Sequence, residues 1–240
     1  MKRLILLMIT CYCLLPGHAN TDIASDSLLQ VLQTLPHDTT RLSTLNDIIK
    51  IEQNNYKCIQ YSDTLMQEAL KLKNDKYASL AAYYHLLYYY NRSEQDSVAK
   101  WIVRIEPYVQ RSGLWDYFFD AQRFQIDLYT FTEQYELAIS EANKMKQKAL
   151  NTNSNRGTVA AYQCLSNAYI GSQRWDEGLK ALEEAYRLLP KKGNAVVHIS
   201  VLSQLISVTK EMKDNNRQLK YLQELESVLR KFIIDNPSLK

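Results

Sequence analysis

An all-α fold, a solenoid of about five helical hairpins, is what this sequence predicts. Three observations carry that expectation. Apolar residues recur at helical spacing almost without a break after residue 24. Only 6 Gly and 5 Pro occur in 240 residues, too few for the many turns of an all-β fold. The same helix-pair pattern also returns about every 40 residues along the chain.

The stretch from Met1 to Ala19 stands apart. In "MKRLILLMITCYCLLPGHA", Lys2 and Arg3 precede an apolar run from Leu4 to Leu15, then Pro16 and a small-x-small ending, Gly17-His18-Ala19. That order is the order of a secretory leader, with cleavage expected after Ala19. The run is short for a membrane span. A lipoprotein variant would use Cys11 or Cys13, but the preceding Thr10 and Tyr12 are poor matches to the small residue such a cysteine needs. Next, "DSLLQVLQTLP", residues 26–36, reads as an N-terminal helix capped by Asp26 or Ser27 and followed by Pro36. Asp38 or Thr39 then caps the first helix of the repeats. The expected organisation is a leader over 1–19, a helix and linker over 20–38, and repeats over 39–240.

The clearest repeat is "AAYQCLSNAYIGSQRWDEGLKALEEAYRLLP", residues 160–190. Tyr162, Leu165 and Tyr169 make one apolar stripe at i, i+3 and i+7. Gly178 and Ala185 are small, as a close approach between two helices requires, and Gly171-Ser172 loosens the chain between them. The large slot of Tyr162 is filled elsewhere by Leu42, Tyr83, Gln122 and Leu202. The Tyr169 slot holds Ile49, Tyr90, Tyr129 and Thr209, and the Gly178 slot holds Cys58, Ala99, Ala138 and Gln218. Pro107 falls inside the second helix of the pair that holds Ala99, where a kink or break near residues 103–106 is expected.

Spacing and residue types in the 160–190 unit resemble a tetratricopeptide (TPR) repeat, with Tyr162 for its Trp, Ser166 for its Gly, Gly178 for its first Ala, Leu182 for its Phe, Ala185 for its second Ala and Pro190 at its end. The resemblance extends over residues 39–232. It implies a right-handed α-solenoid with one side of the first helices lining a concave groove, and the period of about 40 residues makes each helix pair about a turn longer than the usual TPR unit. On that template Tyr83, Leu86, Leu87 and Tyr90 face inward, and truncating either tyrosine costs about 3–5 kcal/mol. Tyr84, Tyr88 and Asn91 fall on the groove stripe, where truncation costs within about 0.5 kcal/mol. The stripe continues through Arg123 and Asp127, Gln163 and Asn167, then Ser203 and Ser207, with Ser43 and Asp47 before it. A polar groove with an aromatic entry suits a protein or peptide partner. The Lys, Arg and Asn clamp of chaperone-tail readers is missing from it.

Other chemistry lacks a signature. Loss of the leader takes Lys2 and Arg3 and no acid, so 29 basic against 26 acidic residues becomes 27 against 26. That balance, with dispersed basic residues, offers no nucleic-acid face. His37, His85 and His198 are far apart, and no HExxH, CxxC, phosphate loop or GxSxG elbow is present. No metal, no small-molecule cofactor and no catalysis are expected, and membrane contact is expected only with lipidation. Cys58 and Cys164 read as small buried residues, too far apart to bridge. The opening "DSLLQVLQTLPHDTTRLSTLNDI" is similar to the periplasmic TPR sensor regions of bacterial signalling proteins, though "KFIIDNPSLK" is followed by neither the membrane helix nor the output domain of that family. The resemblance implies an exported, periplasmic or secreted scaffold that binds a protein or peptide in the cell envelope, as the sensor part of a signalling system. The alternative is an envelope assembly adaptor like the five-repeat TPR lipoproteins.

Overall fold

The computed structural model describes residues 18–52, 55–190 and 195–236, with side chains from Ser25 onward. The stretch read as a leader, residues 1–19, lies almost wholly outside them. The described residues form eleven α-helices and no strand: α1 (His18–Thr34), α2 (Thr39–Glu52), α3 (Lys57–Lys71), α4 (Asp75–Tyr90), α5 (Gln95–Ser112), α6 (Trp115–Phe131), α7 (Tyr135–Asn151), α8 (Asn155–Gly171), α9 (Trp175–Leu188), α10 (Ala195–Glu211) and α11 (Asn215–Asp235). Among them, no helix is long and apolar enough to cross a membrane.

A single local device joins most of these helices. Lys73, Ser93, Gly113, Glu133, Asn153, Gln173 and Lys213 all have φ between 53° and 74°. They are evenly spaced in sequence, apart from one doubled interval that spans positions 191–194. The residue after each non-glycine member donates its N–H to the carbonyl five positions back, as Asn74 does to Ala69 and Arg174 does to Tyr169, both at 2.8 Å. A left-handed residue followed by such a bond is the Schellman stop. That same next residue caps the following helix, and Asn74, Ser154 and Asp214 do so with their side chains, accepting from the N–H groups of Tyr77, Gly157 and Arg217 at 3.0–3.3 Å. Helix, short reversal and helix thus repeat in step from Lys73 to Gln173 and again at Lys213, and such short connections turn each helix back on the one before.

Among the described residues, one of the seven left-handed positions carries Gly. An L-residue there costs roughly 1–2 kcal/mol. Glu133, exposed with φ 61°, is the simplest to relieve. Glu133→Gly is expected to raise stability by about 0.5–1 kcal/mol, since the strain removed exceeds the extra freedom given to the unfolded chain. A thermal midpoint that fails to rise would contradict the left-handed assignment.

Successive helices pack on one another, and α2, α4, α6 and α8 also touch in series, so that the even-numbered helices form a row. Odd-numbered helices are linked across their row by side chains: Lys148 pairs with Glu106, Tyr186 donates to Glu224, and Tyr221 donates to Glu183. The apolar core is continuous. One cluster joins α1 to α4 through Leu42, Leu45, Ile48, Ile49 and Leu65; a second spans α4 to α9 around Phe118, Phe119, Ile126 and Met145; a third joins α8 to α11 through Leu182, Val201 and Leu205. Burying such side chains contributes about 1.5–3 kcal/mol each. Gly178 permits the close approach expected of it. A Cβ there would stand 2.7 Å from Ile170 Cγ1 and 3.3 Å from the Ser166 carbonyl. Cys58 and Cys164 are free and buried.

Three sequence expectations need correction. Helix α1 starts at His18, not at Asp26 or Ser27; those two side chains lie exposed inside it, where a polar residue costs little. Helix α5 runs unbroken through Pro107. Pro107 and Val103 are exposed, so the carbonyl that loses its partner faces water while Ile102, Ile105 and Val109 stay buried on the other side. The third correction is one of register. Counting back from Gly178 by the Gly178-to-Ala138 interval reaches Val98, which is fully buried, rather than Ala99.

Candidate functional site

That one-residue slip decides where the α4 tyrosines point. Each residue turns a helix by about 100°, so moving the template by one carries a surface stripe onto a neighbouring face. Helix α4 is packed by α2, α3, α5 and α6, and nine of its residues are buried. A helix covered on nearly all sides is apolar or aromatic all round, and its tyrosines cannot be sorted by polarity alone.

Tyr84 is therefore not on the groove stripe. It is 6% exposed, and its hydroxyl donates to Asn46 Oδ1 at 3.1 Å, with Asn46 itself buried on α2. Burial pushes its phenol well above the ordinary tyrosine range. Tyr88 is half-buried under the Arg92 guanidinium, which lies 3.5 Å from the ring centre. Asn91 is exposed and forms the C-terminal cap of α4. One full repeat before Arg123 and Asp127 stand Tyr83 and Leu87. Both are half-buried rather than inward-facing; Leu86 is the fully buried one. Tyr83 meets Tyr117 of α6 edge-to-face at 5.0 Å, and burial pushes its phenol up to about 12. Tyr90 stacks on Phe124 at 4.4 Å. Asn74, Ser154 and Asp214, all capping types in step with one another, are the sequence signal that could have set the register.

The rest of the stripe lies together along the even row. Arg123 sits 3.9 Å from Asp120, which also pairs with Arg156 of α8 at 2.8 Å, and Arg156 reaches Asp116 at 3.4 Å. Gln163 donates to Gln204 at 2.8 Å and to Ser200 at 3.3 Å, and Gln204 donates in turn to Asn167 at 3.5 Å, tying α8 to α10. Ser43, Ser203 and Ser207 are half-buried, and Asp47 is exposed and pairs with Lys50 at 2.9 Å. Asp127 differs from its neighbours. Among the described residues it has no hydrogen-bond or ion-pair partner. Burial raises its carboxyl to about 6, against the pull of Arg123. Burial raises the Tyr90 phenol and the Cys164 thiol, and the nearby Asp127 adds to both rises. The stripe holds amides, hydroxyls, guanidinium groups and one unpaired carboxylate, the groups of non-covalent recognition.

Fold and site together define an all-α chain whose adjacent helices pack in serial order. No protein-family model matches it, and no curated protein is similar to it in sequence. The crystal structure of BtubC (BKLC) from P. vanneervenii superposes with a TM-score of 0.63 at 12% identity, over 89% of this chain and 90% of that one. At that identity the similarity is one of fold.

Proposed function

We propose that the protein is an exported TPR scaffold whose even-helix row binds a protein or peptide partner in the cell envelope, as the sensing part of a signalling system. It works by recognition, without catalysis or cofactor. The observation that carries this reading is the stripe of polar side chains on α2, α6, α8 and α10, interrupted on α4 by the half-buried Tyr83 and Leu87, with different chemistry in each helix. The evenly spaced left-handed stops support reading the helices as five serial hairpins with a right-handed sweep. Even helices α2 to α8 touch in series, which supports their side as the concave one. Asp127, half-buried and unpaired, receives a cationic group of the partner; pairing would offset the cost of its partial desolvation. Export rests on the charged, apolar and small-residue order from Met1 to Ala19.

Affinity capture from envelope extracts tests the site. A variant with Asp47→Lys, Asn167→Lys and Ser207→Lys places three cations along the stripe on half-buried or exposed positions. It should fold and lose the partners that the wild-type protein retains. Equal recovery of the same partners by both proteins removes the even row as the binding surface.

A further inference from the structure

Helix α11 carries a second surface, unrelated to the stripe. It packs on α10 through Tyr221, Leu225 and Val228. Leu222, Leu229 and Ile233 stand on a different line, 44%, 37% and 40% exposed. Together with Glu226 they fall at i, i+4, i+7 and i+11, one stripe of an α-helix. The shallow groove along this stripe is lined by Leu222, Leu225, Glu226, Leu229, Arg230 and Ile233.

We propose that this stripe docks antiparallel on α11 of a second copy of this chain, in a two-fold dimer. A two-fold interface must be complementary to itself. The six lining positions are symmetric about the point between residues 227 and 228. Reversal places Leu222 opposite Ile233, Leu225 opposite Arg230, and Glu226 opposite Leu229. The apolar ends then cover each other. Glu226 and Arg230, which pair within the helix at 2.7 Å, come within reach of Arg230 and Glu226 of the second copy. A parallel arrangement would instead set Glu226 against Glu226, a like-charge contact that disfavours it. Self-complementarity of the stripe points to a second copy as the occupant, and charge selects its direction.

Analytical ultracentrifugation of the full chain tests the assignment. The wild-type protein should sediment at twice the chain mass, and Leu229→Asp should sediment as a monomer with unchanged helicity. Glu226→Arg and Arg230→Glu should each weaken self-association about tenfold or more, because each alone sets like charges across the two-fold axis. Mixed in equal amounts, they should associate again as a heterodimer. Within each helix the like-charge pair persists in the mixture, so recovery can come only from the partner's charges. A monomeric wild-type protein, a dimeric Leu229→Asp variant, or a mixture that stays monomeric would each overturn the proposal.

Discussion

Tyr84→Ala is expected to cost about 3–5 kcal/mol of stability, the range for a buried aromatic truncated in a packed core. The ring is 6% exposed between α2 and α4, so its removal leaves a cavity that two packed helices cannot close. It also strands the buried Asn46 side chain, whose carbonyl loses its donor. Tyr84→Phe keeps the packing and removes only the hydroxyl, for an expected loss of about 1–2 kcal/mol. Tyr88→Ala, half-buried beneath Arg92, should cost less than about 1 kcal/mol. Chemical denaturation of the three variants separates the cases. A Tyr84→Ala loss no larger than that of Tyr88→Ala would return Tyr84 to the surface.

The second large effect is one of pH. Asp127 has a carboxyl raised to about 6 by burial, above the ordinary unfolded value of about 3.9. The folded chain therefore holds this proton more tightly than the unfolded chain does. Below about pH 4 both states are protonated and Asp127 costs nothing. As pH rises from 4 to 6 the unfolded chain releases the proton first, and the folded state loses stability. Above 6 the penalty is complete, roughly 2–3 kcal/mol for a shift of about two pH units. Asp127→Asn should then be more stable than the wild-type protein by about that amount at pH 7.5, with the difference vanishing at pH 4. Unfolding at the two pH values measures it, and an equal gain at both would mean that ionisation of Asp127 is not its source. A carboxylate that weakens its own fold at neutral pH fits a residue held ready for an incoming cation.

Much of the helical pattern was legible from residue types alone. Ser154 with Gly157, and Asp38 ahead of Thr40 and Arg41, are capping arrangements that work through bonds between near neighbours in the chain. Gly178 declared a close helix approach because nothing larger fits against Ile170. The stripe on α6 and α8 was readable because Arg123, Asp127, Gln163 and Asn167 contrast with buried neighbours such as Phe124 and Leu165. The stripe on α4 was not readable. Tyr83, Tyr84, Tyr88, Tyr89 and Tyr90 offer no contrast, and aligning Tyr90 with Tyr129 and Tyr169 moved the register by one position.

The sequence by itself determined the all-helical class, the regular spacing of the helices and the buried cysteines, because propensity, capping and apolar period act over one or two turns. Only the tertiary structure decided which tyrosines of α4 are core, that α5 continues through Pro107, and that six non-glycine residues take left-handed backbone at the stops. Those outcomes depend on which face a helix turns toward its neighbours. Packing from residues distant in sequence sets that face, and it outweighs local costs of about 1–3 kcal/mol.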